Sequence, residues 1–160
     1  MYICLLIEQM PSLEKEIQQS SFANEHIKAN LNVLFTANWL YNKISAILKP
    51  YNLTHEQFNV LRILRGSHPR SMCQKDILCR MISPSSNVTL IIKKLVEKEM
   101  ISVLQSDSDR REYVINIKKK GLDLLKELDK HLENQKEYIS KLSEADARQL
   151  NKLLEKLRGD

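Results

Sequence analysis

Two short runs of β-branched and aromatic residues lie on either side of a charged tip, and they constrain the fold more than any other feature of the chain. The runs are residues 101–105 (ISVLQ) and 113–117 (YVINI), and the tip between them carries Asp109, Arg110 and Arg111. Runs of this kind around a polar tip predict a β-hairpin. A two-stranded ribbon with arginines at its tip can enter a groove of a polyanion, so nucleic acid is the first partner to consider.

The rest of the chain has the composition of a helical protein. Only 3 of the 160 residues are glycine and 4 are proline, and the hydrophobic fraction of 42% is enough for the core of one ordinary domain. The spacing of apolar residues predicts a first long helix over residues 13–48, with a break near Ser20 and Ser21. Further helices are predicted over residues 54–66, 72–81 and 84–98 before the hairpin, and from residues 118 and 143 after it.

Capping patterns mark the expected helix boundaries. A polar N-cap residue accepts a hydrogen bond from a backbone N–H in the first turn, and proline is favoured at the first helical position. The pairs that fit these patterns are Thr54 with Gln57, Ser83 with Pro84, and Ser143 with Asp146. Gly66 is the expected end of the helix that begins after Thr54.

The positive charge is concentrated around the hairpin. The net charge is +5, and residues 54–118 contribute +4 of it, from 11 basic and 7 acidic side chains. A basic segment of this kind supports nucleic-acid binding, although a modest excess of charge also fits an ordinary solvated surface.

The helix predicted from Pro84 has an apolar stripe and an opposite face of small polar and basic side chains. The stripe consists of Val88, Ile91, Ile92, Leu95 and Val96. Short polar side chains let a helix approach base edges in the major groove, and lysines neutralise phosphates. The side chains predicted to contact DNA from this helix are Ser85, Ser86, Asn87, Thr89, Lys93 and Lys94.

Leu90 lies at the centre of this otherwise polar face. It could contact a thymine methyl group, or it could cover a partner surface. Taken alone, the helix also fits an ordinary amphipathic helix with a solvated face. With a short helix before it and the hairpin after it, the segment predicts a winged helix-turn-helix.

The motifs of this segment resemble those of the MarR family of bacterial transcriptional regulators. The similarity extends from about Ile27 to Leu157. The segments that carry it are residues 53–61 (LTHEQFNVL), 87–89 (NVT), 94–95 (KL), 109–111 (DRR) with Gly121 ten residues later, and 142–146 (LSEAD). The chain departs from the family pattern at Leu90, where many members have a basic residue, at Glu99, which replaces a glycine, and at Lys118, which replaces a threonine.

The resemblance implies a mainly α fold with the order α-α-α-α-β-β-α-α. Residues 1–52 and 119–160 would form the dimerisation helices, and residues 53–118 the winged helix-turn-helix lobe. It further implies a homodimer that binds double-stranded DNA at a pseudo-palindromic operator and acts as a repressor. Within the wing, we expect Arg111, braced by Asp109, to enter the minor groove and Arg110 to contact the backbone.

Family members of this kind often bind small aromatic or phenolic anions, and Trp39, Tyr41, His55 and Arg62 are the candidates for such a site here. The alternative is that Trp39 and Tyr41 belong to the core of the dimer. Some relatives sense oxidants through a cysteine near the N-terminus, and Cys4 is the candidate by position, with a non-reactive thiol as its alternative.

The remaining function classes are disfavoured. The sequence has no G-x-S-x-G, H-E-x-x-H or P-loop motif, so we expect no enzyme. Cys73 and Cys79 are six residues apart and the histidines are scattered, so neither a metal site nor a cofactor is expected. The chain has no apolar run of about 20 residues, and the cysteines show no disulfide pattern, which favours the cytoplasm and no membrane partner. A winged helix used only for protein interaction remains the alternative to a DNA-binding one.

Overall fold

A computed structural model describes residues 12–84, 87–105, 112–134 and 141–159. Within them the order of elements is α1 (Leu13–Glu16), α2 (Glu25–Leu48), α3 (His55–Ser67), β1 (Met72–Cys73), α4 (Gln74–Arg80), α5 (Val88–Glu97), β2 (Ile101–Gln105), β3 (Tyr113–Ile117), α6 (Lys119–Asn134) and α7 (Glu144–Arg158). The mainly α class predicted from the sequence is confirmed, with one small antiparallel sheet.

The chain divides into two compact units, Met1–Lys43 and Ile44–Asp160. The boundary lies inside helix α2. In the first unit, the long helix predicted from residue 13 is interrupted as expected, since α1 ends at Glu16 and α2 begins at Glu25. A salt bridge of 2.7 Å joins Glu14 to Lys28 across this interruption.

Helix α3 begins where its capping pattern predicted. The Thr54 hydroxyl accepts a hydrogen bond from the backbone N–H of Gln57 at 3.3 Å. The Gln57 side chain does not return a bond to the cap, because its Oε1 accepts from Lys98 Nζ at 2.8 Å. The expectation that Gly66 ends the helix was wrong: the helix includes Gly66 and ends at Ser67, with His68 as the C-cap.

Residues 72 and 73, which the sequence assigned to a helix, form strand β1 instead. They pair antiparallel with β3 in the register Met72 to Ile115 and Cys73 to Val114. A two-residue strand is too short to show an alternating pattern, so the periodicity could not reveal it. Helix α4 therefore begins at Gln74, and the sulfur of Cys73 caps it by accepting from the N–H of Asp76 at 3.4 Å.

The two strands of the hairpin have the bounds that the sequence predicted, residues 101–105 and 113–117. Strands β2 and β3 pair antiparallel from Ile101 opposite Ile117 to Gln105 opposite Tyr113, and the three strands lie in the order β1-β3-β2. Ile101, Ile115 and Ile117 are buried and join the core of the lobe. The tip that connects the strands, residues 106–111, lies outside the described residues.

The start of helix α5 differs from the prediction. The helix begins at Val88 with Asn87 as its N-cap, so Ser83 and Pro84 do not start it. The loop before it is held on α3, since Asn59 Oδ1 accepts from the backbone N–H of Ile82 at 3.0 Å. This anchor keeps Ser83 and Pro84 in the loop, and residues 85 and 86 lie outside the described residues.

Helix α6 packs closely against the lobe because of a glycine. A Cβ on the buried Gly121 would lie 2.7 Å from the carbonyl oxygen of Met100, closer than real Cβ contacts come. The same carbonyl accepts from the N–H of Lys118 at 2.9 Å. Further along, Asp129 accepts two hydrogen bonds from Arg65 of α3, at 2.5 and 3.4 Å.

The last helix begins at the predicted cap. Ser143 Oγ accepts from the N–H of Asp146 at 3.2 Å, and the Asp146 carboxylate accepts in return from the N–H of Ser143 at 3.3 Å. Unlike α3 and α5, helix α7 has no buried residue in the described part of the chain. Among the described residues, the helices are too short or too polar to cross a membrane.

Candidate nucleic-acid interface

Helix α5 presents two very different sides. Val88, Ile92 and Leu95 are buried at 4, 7 and 0% exposure and face the core of the lobe, with Ile91 half-buried beside them. The expectation that Val96 belongs to this buried stripe was wrong, since it is 40% exposed. The opposite side chains are all exposed, namely Asn87, Thr89, Leu90, Lys93 and Lys94. This polar and cationic surface agrees with the side predicted to face DNA.

A hydrogen bond to helix α4 fixes the beginning of α5. Gln74 Nε2 donates to Thr89 Oγ1 at 3.1 Å, and both side chains are exposed. The bond joins the first turns of the two helices of the helix-turn-helix. Sequence reasoning missed Gln74, because the contact depends on how two helices meet. Its position in the first turn of the helix before α5 was the available signal.

Lys98 fixes the end of α5. Its ammonium group donates to Gln57 Oε1 at 2.8 Å and to the carbonyl of Asn52, so it joins α5 to the beginning of α3. Burial lowers the pKa of Lys98 from its usual value, and the nearby charge of Lys94 lowers it further. The two acceptors, one before α3 and one inside it, hold the Lys98 side chain in place.

The turn after α5 has a backbone conformation that favours glycine at position 99. Glu99 has a φ of +59° and lies in the left-handed region. Its N–H donates to the Val96 carbonyl at 2.8 Å, and the Met100 N–H donates to the Leu95 carbonyl at 3.0 Å. This pair of bonds is a Schellman motif, whose left-handed position favours glycine. Glu99 fills it at a cost in backbone strain.

Strand β2 of the sheet packs against helix α5. Strand β3 is joined to the chain before β1 by a hydrogen bond of 2.7 Å from Ser71 Oγ to Asn116 Oδ1. The predicted wing residues Asp109, Arg110 and Arg111, and the predicted helix residues Ser85 and Ser86, lie outside the described residues. Their contacts with DNA therefore stay predictions.

The basic side chains before α5 are exposed but differ in their partners. Arg70, Lys75 and Arg80 are weaker candidates for phosphate contacts, and all three are exposed. Arg80 donates to Ser67 Oγ at 2.9 Å, so this guanidinium already helps to hold α4 on α3.

The candidate ligand residues fall into two pairs, one in each compact unit. Trp39 and Tyr41 are 39 and 49% exposed on α2, and Lys43 Nζ lies 5.5 Å from the centroid of the Trp39 ring. In the second unit, His55 Nε2 lies 2.8 Å from Ser45 Oγ. The exposed Arg62 has its guanidinium 5.7 Å from the ring centroid of Phe58.

The thiols and possible metal ligands are dispersed in the described part of the chain. Cys73 is half-buried at the cap of α4, and Cys79 is exposed. Cys4, the candidate redox residue, lies outside the described residues. No group of three or more histidine, cysteine or acidic side chains that could hold a metal ion occurs among the described residues.

A three-stranded sheet, a helix pair held at Gln74 and Thr89, and an exposed polar side on the second helix define a winged helix-turn-helix protein. Residues 53–113 match the sequence profile of the MarR family. The chain is also 29% identical over 111 residues to the HTH-type transcriptional regulator MgrA of Staphylococcus aureus, covering 69% of this chain and 74% of MgrA. The resemblance to the MarR family of transcriptional regulators that the motifs predicted is therefore confirmed over residues 53–113.

Solved structures share the fold of this chain. A mutant of MarR from E. coli in complex with operator DNA aligns with a TM-score of 0.74 at 18% identity, over 86% of this chain and 99% of that one. BpsR of Bordetella bronchiseptica, whose DNA binding is regulated by 6-hydroxynicotinic acid, aligns with a TM-score of 0.71 at 19% identity, over 82% of this chain and 93% of BpsR. At these identities the likeness shows the fold.

Proposed function

We propose that this protein binds a pseudo-palindromic operator in double-stranded DNA as a homodimer and represses transcription by covering a promoter. The observation that carries the proposal is the division of α5 into a side buried in the lobe and a side that exposes Asn87, Thr89, Lys93 and Lys94. A helix fixed at both ends, with such a surface, fits the major groove. The fold neighbour bound to operator DNA supports this partner.

The DNA contacts divide into those that position the protein and those that read bases. Lys93 and Lys94 would neutralise phosphates, while Asn87 and Thr89, with Ser85 and Ser86, would face base edges or nearby phosphates. Arg111, braced by Asp109, would enter a narrow A·T-rich minor groove from the wing, and Arg110 would contact the backbone.

The dimer is proposed from the apolar side chains that the two outer regions leave exposed. In residues 1–52 these are Ile27, Val33, Leu34, Trp39 and Tyr41, and in residues 119–160 they are Leu142, Leu150, Leu153 and Leu157. A second copy would cover such surfaces in an isologous interface. The lobe of residues 53–118 of each subunit would then read one half-site, with half-sites roughly 10 base pairs apart.

The first test is a salt titration of binding to a duplex selected from random sequences. Binding that depends on phosphate contacts weakens steeply as salt rises, and the slope reports the number of contacts. We expect Lys93→Ala to reduce the slope of log affinity against log salt concentration by about one for each lysine lost, and the proposed dimer loses one lysine in each subunit. Lys152→Ala, an exposed lysine on α7, is the matched control and should leave the slope unchanged. Binding that is indifferent to salt would contradict the proposal.

The wing is tested separately. Arg111→Ala should weaken binding to the selected duplex, and replacing the A·T-rich flanks by G·C pairs should remove most of that difference. Arg148→Ala, another exposed arginine, serves as the control because it lies on α7. Unchanged binding of Arg111→Ala would remove the wing from the proposal while leaving the helix contacts in place.

The proposed effector is a small aromatic or phenolic anion whose binding releases the DNA, and its candidate ligand residues are Trp39 and Tyr41 in the first unit and His55 and Arg62 in the second. An exposed indole and an exposed guanidinium suit such a ligand, and an aromatic acid regulates the fold neighbour BpsR. Because Trp39 is the only tryptophan, its fluorescence reports binding of the probe 6-hydroxynicotinic acid directly. We expect saturable quenching that Arg62→Ala weakens and Arg148→Ala does not. A linear response in all three proteins would exclude this ligand site for the probe.

A further inference from the structure

Leu90 is the unusual member of the exposed side of α5. Its side chain is 44% exposed, although the aliphatic residues Val88, Ile92 and Leu95 of the same helix are buried. At about 100° per residue, Asn87, Lys93 and Lys94 all lie within about 60° of it around the helix axis. Leu90 is thus an apolar side chain surrounded by polar and cationic ones.

The surroundings of Leu90 favour DNA over an apolar protein partner. The next exposed aliphatic residue of the helix, Val96, is 40% exposed but lies about 120° away around the axis, so the two do not form one apolar patch. Two lysines beside Leu90 attract a polyanion. The apolar group that B-DNA presents in its major groove is the C5 methyl group of thymine.

The helix is also held so that Leu90 meets a groove in a defined position. Gln74 fixes the first turn through Thr89, and Lys98 fixes the end through Gln57 and Asn52. Glu97, the acidic residue on the same side, lies seven residues further on, about 10 Å along the axis. The beginning of the helix therefore suits the base edges, and the acidic end lies away from them.

We propose that Leu90 is a specificity-determining residue that recognises a thymine in each half-site through its C5 methyl group. The inference rests on the proposed function, because it requires that α5 enters the major groove. It adds a preference for thymine at one symmetric position of the operator. A regulator with a basic residue in place of Leu90 would select a different base there.

Deoxyuridine tests the contact, because it differs from thymidine only by the missing C5 methyl group of the base. In the selected operator, each thymine is replaced in turn, symmetrically in both half-sites, and the affinity is measured at fixed salt. Loss of one buried methyl contact weakens binding about fourfold, so loss of two should weaken it about fifteenfold. We expect this effect at one symmetric position for the natural protein.

The same scan with Leu90→Ala completes the test. This variant should bind the thymine and deoxyuridine operators equally and keep the salt slope of the natural protein. Alanine is a good helix former at an exposed position, so the fold is retained, which circular dichroism checks. Val96→Ala is the matched control and should show the full methyl effect, since Val96 points elsewhere.

The possible failures are distinguishable. If the natural protein binds duplex DNA with a steep salt dependence but shows no methyl effect, or if the effect persists in Leu90→Ala, then the Leu90 inference is overturned alone. If Leu90→Ala lost the same affinity for the thymine and the deoxyuridine operators, the inference would also be overturned, because Leu90 would then not distinguish the methyl group. If the natural protein does not bind duplex DNA, the proposed function and the inference fall together.

Discussion

Helices α5 and α7 each carry a set of aliphatic side chains, but they bury them very differently. Within α5, Leu95 is completely buried in the core of the lobe. On α7, Leu150, Leu153 and Leu157 are 42, 56 and 53% exposed, and the described residues of this helix include no buried one. The lobe therefore buries the apolar side of α5 within one chain, whereas the apolar side of α7 is exposed in the described part of the chain.

In the proposed homodimer, this difference separates the parts of the molecule that depend on a second copy from those that do not. A helix whose apolar stripe faces its own chain is stabilised by folding alone, and a helix whose stripe faces solvent is stabilised by association. In a homodimer every such residue counts twice, once in each subunit. Substitutions of the exposed leucines of α7 should therefore change assembly, and substitutions in the core of the lobe should change the free energy of unfolding.

The largest effect is expected on α7. Leu153→Asp combined with Leu157→Asp should convert the dimer to the 18.7 kDa monomer, as measured by sedimentation equilibrium. Each leucine that leaves an apolar interface costs about 1.5–3 kcal/mol, so four leucines per dimer amount to at least about 6 kcal/mol. Lys152→Asp introduces the same side chain on the opposite side of α7 and should leave the dimer intact. A double variant that stays dimeric would show that α7 is outside the interface.

The second-largest effect is expected on the free energy of unfolding of the lobe, and two positions of helix α5 test it. Leu95→Ala empties a completely buried position and should lower the free energy of unfolding by about 2–5 kcal/mol, measured in urea. The neighbouring Val96→Ala changes a 40% exposed side chain and should cost no more than about 0.5 kcal/mol. Equal losses in the two variants would contradict the orientation of α5.

A smaller change in the free energy of unfolding, this time an increase, is expected from a substitution at the turn after α5. Glu99→Gly should stabilise the lobe by about 1 kcal/mol, because glycine adopts the left-handed conformation without the strain of a side chain. Glu99 also pairs with Lys120 at 3.4 Å, and both side chains are well exposed, so losing this pair costs little. Glu99→Gln separates the two contributions, since it removes the charge and keeps the strain. A glycine variant no more stable than the glutamine variant would disprove the strain.

The sequence predicted the parts of the fold that local chemistry determines. The strands around the wing follow from alternating β-branched residues, and the starts of α3 and α7 follow from Thr54 and Ser143. The start of α5 was misplaced, because Ser83 and Pro84 fit a helix cap locally while Asn59 holds the preceding loop on α3. A hydrogen bond between distant residues leaves no pattern in the local sequence.

The candidate interface shows the same limit. The polar side of α5 could be predicted because helical periodicity alone separates it from the buried side. The contacts that fix the helix, from Gln74 to Thr89 and from Lys98 to Gln57, join residues 15 and 41 positions apart. Only packing brings such residues together, so the sequence indicated the surface proposed to meet DNA but not the bonds that orient it.

The smallest effect is expected in the first unit, where a half-buried ion pair joins α1 to α2. The Lys28 ammonium beside Glu14 lowers the pKa of that carboxyl from 4.5 to about 2. A lowered carboxyl pKa stabilises the folded form fully above pH 4.5, and the stabilisation is lost as the pH falls towards 2. Below pH 4.5, α1 should therefore loosen from α2 while the described core of the lobe, which is almost entirely aliphatic, stays folded.

An NMR titration of the Glu14 carboxyl measures this coupling directly. In Lys28→Met, which keeps an unbranched apolar side chain but loses the charge, the pKa of Glu14 should return towards its ordinary value. Lys15→Met removes an exposed charge next to Glu14 in the sequence and should leave the low pKa in place. If the pKa of Glu14 were the same in both variants, the ion pair would not be what joins α1 to α2. The two helices would then depend on the buried Leu13, as the lobe depends on its own aliphatic core.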